Sequence, residues 1–116
     1  MTSQGHPYAR FQRALQSGRL VHAETAAREL HTLNLADALA LLVLIAKEDP
    51  RRYGRAAVRW HGRFTLDANG LDLADSQLAL AALGSLPTYV DGARALLERI
   101  GARHGLQLRS VRKKRG

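Results

Sequence analysis

Four arginines, Arg52, Arg55, Arg59 and Arg63, recur at intervals of three and four residues. On a helix advancing 100° per residue they fall within about 80° of arc, so they form one basic ridge. Guanidinium groups in a row can engage successive phosphates, each with several N–H donors. The segment Arg109-Ser-Val-Arg112-Lys113-Lys114-Arg115 carries five more cations without an acid. Such a tail adds phosphate contacts through counterion release. These nine residues predict association with nucleic acid, without strong sequence preference. The competing reading is a solvated face whose arginines pair with Glu48, Asp67 or another acid across the fold.

The remaining candidate groups point away from catalysis. The five histidines, at positions 6, 22, 31, 61 and 104, include no i, i+4 pair and no His-Glu-x-x-His, so no metal site is expected. No Gly-x-Ser-x-Gly and no phosphate-cradling glycine loop occurs. Most carboxylates sit where helices begin, and Glu48, Asp49 and Asp67 are accounted for as a surface charge, a cap and a loop residue. No catalytic residue and no cofactor are predicted, and enzyme is the class with least support. His61 beside Trp60 is the pair of most interest, because both would stand at the edge of a core stripe and could border a pocket.

Six helices must position these groups. Pro7 opens the first, whose Tyr8, Phe11, Ala14 and Leu15 share a face, and Ser17-Gly18 closes it. The second places Leu20, Ala23, Ala26, Ala27 and Leu30 on one side, with Glu24 and Arg28 spaced for an i, i+4 pair. Asn34-Leu-Ala-Asp37 starts the third, which is apolar nearly all round from Leu39 to Ile45 and is therefore expected to be enclosed. Asp49-Pro50 caps the fourth, running to about Phe64 and turning Tyr53, Ala57, Trp60 and Phe64 inward. Asp72-Leu-Ala-Asp75 opens the fifth, read as a second central helix. Thr88-x-x-Asp91 opens the sixth, and Gly105 ends it with Leu106 folding back.

The stretch from Asn34 to Phe64 and that from Asp72 to His104 share a helix-start tetrad, a buried helix, a proline break and an amphipathic helix, offset by about 38 residues. The predicted fold is all-α, with about six short helices as stacked antiparallel hairpins; a compact helical bundle is the alternative. One domain is expected over residues 7–106, with a disordered start at 1–6 and a basic flexible tail at 107–116. Stacked hairpins make grooves, and a nearly all-apolar helix such as Leu73 to Leu83 could be covered by a partner or a second copy. A protein-interaction adaptor is therefore the second functional reading. A helix-turn-helix drawn from Ala23 to Ala46 fails, since it would push Leu41 to Leu44 into a DNA groove lined by polar edges.

Composition narrows the setting. The 116 residues suffice for one core. The net charge is +8, of which five units sit at Arg109, Arg112, Lys113, Lys114 and Arg115 and +3 is spread over residues 1–108. Cysteine is absent, which excludes disulfides and thiolate metal sites and suits a reducing cytoplasm. The longest apolar run, Ala38 to Ala46, is nine residues, against about 20 for a bilayer-spanning helix. No membrane association and, from the uncharged, polar opening Met1 to Pro7, no secretory signal are predicted. Oligomeric state is left open.

The run Arg52-Tyr-Gly-Arg-Ala-Ala-Val-Arg-Trp-His-Gly-Arg-Phe64, preceded by Leu35-Ala-Asp-Ala-Leu39, resembles a family of short uncharacterised helical proteins of actinobacteria. The likeness spans about Phe11 to Leu106 and includes Arg59, Trp60, His61, Arg63 and Phe64. It implies an all-helical fold and a bacterial source, and it brings no activity.

Overall fold

The computed structural model describes residues 5–109. Its six helices are α1 (Gly5–Ser17), α2 (Leu20–Glu29), α3 (Leu35–Glu48), α4 (Pro50–Asp67), α5 (Leu73–Ser85) and α6 (Val90–Arg103), and no strand occurs among the described residues. Consecutive helices pair, α1 with α2, α3 with α4 and α5 with α6, and the pairs are joined through α2–α3 and α4–α5 packing. Cross-links between the start of one helix and the end of its partner make every pair antiparallel. Arg10 meets Glu29, Trp60 reaches Leu35, and Arg103 meets Asp75. The result is a stack of three hairpins.

Local chemistry sets the helix ends. Asn34 and Asp72 each accept a backbone N–H from the residue three positions on, at 2.8 Å in both cases, so the two related tetrads build the same N-cap. Asp49 does not act as the expected side-chain cap of α4. Its carboxylate instead accepts from Arg52 Nε at 2.8 Å, an i, i+3 contact that competes for the same oxygens. Helix α6 begins at Val90 rather than near Thr88. Leu86 is fully buried in right-handed backbone, and Tyr89 donates its N–H to Ser85 O, so a turn over Pro87 and Thr88 intervenes.

Left-handed glycines end α1 and α6. Gly105 has φ +80°, Leu106 N donates to Gly101 O at 2.8 Å, and Gly105 N donates to Ala102 O, which together form a Schellman closure. Gly18 closes α1 in the same way. After the α6 closure the chain returns to the core. Leu108 is buried against Gly101, where a Cβ would stand 2.8 Å from Leu108 Cδ1. The packed domain thus extends past the expected boundary at 106.

Two apolar clusters hold the stack. One joins α3, α4, α5, α6 and Leu108 around Leu39, Phe64, Leu83, Leu86, Leu97 and Ile100; the other joins α1 and α2 to Leu44 of α3 around Phe11. Each fully buried side chain of this size contributes about 1.5–3 kcal/mol of burial free energy. Tyr53, Ala57, Trp60 and Phe64 all face inward as the α4 spacing predicts. Trp60 and Phe64 stack with centroids 5.4 Å apart. The polar ends of the stripe are satisfied too, since Tyr53 Oη donates to Leu83 O at 2.6 Å and Trp60 Nε1 donates to Leu35 O at 3.1 Å.

Helix α5 departs from expectation. It buries Ala79, Ala82 and Leu83, while Leu73 is 71% and Leu80 48% exposed. The middle pair has a hairpin on either side, so α3 is covered by α1, α2 and α4; α5 belongs to the last pair and packs chiefly on α4 and α6. It adds Ala79, Ala82 and Leu83 to the cluster that also holds Leu39 of α3, and leaves its outer face open.

Candidate binding groove

The arginine ridge does not stand alone on a convex face. It forms one wall of a groove of about 880 Å³ whose floor is supplied by Ala38, Leu41, Leu42 and Ile45 of α3 with Ala56 and the edge of Trp60 from α4. The floor follows from the helical period, because positions 38, 41, 42 and 45 share one side of α3. The same period puts Arg55, Arg59 and Arg63 one turn apart along the rim. Arg51, outside the expected ridge, also lines the groove.

The four ridge arginines are not equivalent. Arg52 is engaged twice: its Nε donates to Asp49, and its Nη1 and Nη2 donate to both oxygens of Glu24 at 2.9–3.0 Å. Its hydrogen bonds to Asp49 and then to Glu24 raise its pKa further above the ordinary guanidinium value. Arg63 Nη1 donates to Leu33 O at 2.7 Å, tying the far end of α4 to the loop that precedes α3. Arg55 and Arg59 are exposed and make no hydrogen bond or ion pair among the described residues. Two bridges thus close the ends of the groove, and two unengaged guanidiniums flank its middle.

This arrangement corrects one reading and modifies another. Glu24 does not pair with Arg28 on its own helix but crosses to Arg52, 28 residues away. The acids that meet the ridge are Glu24 and Asp49, not Glu48 or Asp67. Of the basic tail, Arg109 is the one described residue; it is exposed and its backbone N–H donates to Gln107 Oε1. Arg112, Lys113, Lys114 and Arg115 lie outside the described residues.

Trp60 and His61 separate. Trp60 is 4% exposed and shows only its edge to the groove, whereas His61 turns toward α5. Its Nε2 lies 3.0 Å from Ser76 O and 3.4 Å from Ser76 Oγ. A carbonyl oxygen can only accept, so Nε2 carries the proton and is not placed to take one from the serine.

The histidine–carboxylate contact, His104 with Asp75, is structural. His104 Nε2 faces Asp75 Oδ2 at 2.8 Å and its Nδ1 faces Asn69 O at 2.9 Å, so both ring nitrogens meet pure acceptors and the imidazolium satisfies both. The bond to Asp75, then that to Asn69, raises the His104 pKa. The bond to His104, with help from Arg103, lowers that of Asp75. The set clamps the end of α6 to the α4–α5 link.

No group of three or more potential metal ligands forms among the described residues, and no helix there is long and apolar enough to cross a membrane. Searches against family models, curated proteins and solved structures return no match to this chain.

Proposed function

We propose that this chain is a non-enzymatic helical binding module whose α3–α4 groove docks an acidic protein partner. The observation that carries the reading is the pairing of an apolar floor, where Ala38, Leu41 and Ala56 are partly exposed over the buried Leu42 and Ile45, with the unengaged guanidiniums of Arg55 and Arg59 on its rim. An apolar floor rewards a ligand with apolar side chains, and the rim selects among such ligands for negative charge. The Glu24–Arg52 contact is an internal example of a carboxylate accepted at this rim.

Nucleic acid is the second reading, favoured by the exposed cations Arg51, Arg55 and Arg59. It is weakened because two of the four ridge arginines already have partners, and because Trp60 is too buried to serve as a stacking platform for bases. The lack of cysteine and of a membrane-length apolar segment supports a cytoplasmic setting.

Fluorescence anisotropy separates the two readings. A labelled acidic peptide with leucines and a 20-base-pair duplex are each titrated with wild-type protein and with R55E/R59E at two salt concentrations. Partner docking requires peptide binding that R55E/R59E abolishes. Duplex binding that weakens steeply with salt, without peptide binding, would transfer the function to nucleic acid.

A further inference from the structure

Resting on that reading of the groove, we infer that its occupant is an amphipathic helix with two carboxylates one turn apart beside a leucine- or isoleucine-type face. Three features of the groove argue for a helix over other acidic chains.

The first is the floor. Ala38, Leu41, Leu42 and Ile45 recur at intervals of three, four and seven residues on α3; Leu42 and Ile45 are buried beneath, and the partly exposed Ala38 and Leu41 stand about one helical turn apart with shallow hollows beside them. A second helix presents its own side chains at the same spacing and fills those hollows, as amphipathic helices do in apolar grooves. An extended strand, whose same-face side chains recur at about 6.6–6.8 Å, drifts out of register within a few residues.

The second is the rim. Arg55 and Arg59 are separated by one turn, about 6 Å along α4. Carboxylates at i and i+4 of a helix running along α4 have the same separation, so both guanidiniums are met at once. A single-headed ligand such as a fatty acid answers one of them and leaves the other unpaired. It also leaves much of its chain in water, because the floor is a surface trough and not a closed cavity.

The third is the pair of bridges. Arg52 to Glu24 and Arg63 to Leu33 O cross the groove at its two ends. The α4 positions that carry them are eleven residues apart, which is about 16 Å or three helical turns. The contacting stretch of the partner is therefore short. Its acids fall in the middle, beside Arg55 and Arg59, because Arg52 and Arg63 at the ends are occupied; Arg51, at the Arg52 end, is the further unengaged guanidinium of the lining. Helix α2 already shows the pattern, since its Glu24 delivers a carboxylate from a helix to the first arginine of the same row.

The experiment uses the full chain and four probes, all of equal length. One is an amphipathic peptide of Leu, Ala and Glu with leucines at i, i+3, i+4 and i+7 and a flanking Glu pair at i, i+4. The others are a scrambled peptide of the same composition, a polyglutamate, and the first peptide with Lys in place of the Glu pair. Binding is read by anisotropy, with the emission of Trp60, the single tryptophan, as an independent report from the groove wall. The inference requires the amphipathic peptide to bind at least about tenfold more tightly than the scramble, and to lose that advantage against R55E/R59E. It also requires the lysine peptide to prefer R55E/R59E over wild type. Circular dichroism of that variant establishes that these exposed substitutions leave the fold intact. Equal binding of amphipathic, scrambled and polyglutamate probes would overturn the helical occupant while leaving an acidic partner standing. No binding of any acidic probe would overturn both.

Discussion

Glu24 of α2 and Arg52 of α4, 28 residues apart, form a forked ion pair in which both carboxylate oxygens meet the guanidinium across one end of the groove. The pair joins the first hairpin to the second and holds one arginine of the basic row out of use. Freed of Glu24, Arg52 keeps its Nε bond to Asp49 and offers its two Nη groups as a further contact for an acidic ligand. The Glu24→Gln variant is expected to bind the amphipathic acidic peptide about two- to fivefold more tightly, measured by anisotropy, with the gain suppressed by added salt. Its stability should fall by no more than about 1 kcal/mol in urea denaturation, because half-exposed ion pairs contribute little.

His104 makes folding depend on pH. Its folded pKa lies above the ordinary 6.5, so its contribution is fully present below that value and is lost as pH rises through the raised folded pKa. The groups facing it are Asp75 and Asp72 of the α5 start, Arg103 beside it on α6, and the Asn69 carbonyl. Asp75 has the opposite sign: its folded pKa is below 3.8, so its contribution is lost only as pH falls through that lowered value. Urea midpoints should decline from pH 6 to pH 8.5 in the wild type. They should change much less over that range in His104→Gln.

Two glycines of this chain, Gly105 and Gly54, have opposite expected outcomes when replaced by alanine. Gly105 sits at φ +80°, and a Cβ there would come 2.9 Å from Asn69 Nδ2. Gly105→Ala should lower stability by about 1–2 kcal/mol. Gly54 lies within α4, exposed, with nothing within 4 Å of an added Cβ. Gly54→Ala should raise stability by about 0.5–1 kcal/mol, since it removes backbone freedom from the unfolded chain at a helical position. Thermal melts of the two variants check both signs.

Tyr53 anchors the middle hairpin to the third. Its hydroxyl donates to Leu83 O from a buried position, and burial pushes its pKa up to about 12. Tyr53→Phe should cost about 1–2 kcal/mol, the loss of a buried hydrogen bond with little change in packing. Phe64→Ala, which empties a fully buried site, should cost about 3–5 kcal/mol. Chemical denaturation of both variants gives the ratio.

What could be read from the sequence was local. Asn34 and Asp72 reach only three residues ahead to cap their helices, and the inward stripe of α4 follows from 3.6 residues per turn, so both were legible. The arginine row was legible for the same reason. Its partners were not: Glu24 meets Arg52 because α1–α2 docks on α3 through Phe11 and Leu44, a long-range event that no spacing rule encodes. Ile45 reads as interior on an all-apolar helix and is buried; Leu41 reads the same way, yet it is partly exposed, and nothing in the order of residues tells that its side faces a trough. The exposure of Leu73 and Leu80 has the same origin, since an apolar helix looks alike whether or not another hairpin covers it.

The groove itself is tested most directly by titrating ¹⁵N-labelled protein with the amphipathic acidic peptide and following backbone amide shifts residue by residue. Docking in the trough predicts that the largest shifts fall on Ala38, Leu41, Ile45, Arg55 and Arg59, with the outer face of α5 and the His104 clamp unmoved. Shifts concentrated on Leu73, Gln77 and Leu80, or no shifts at all, would contradict it.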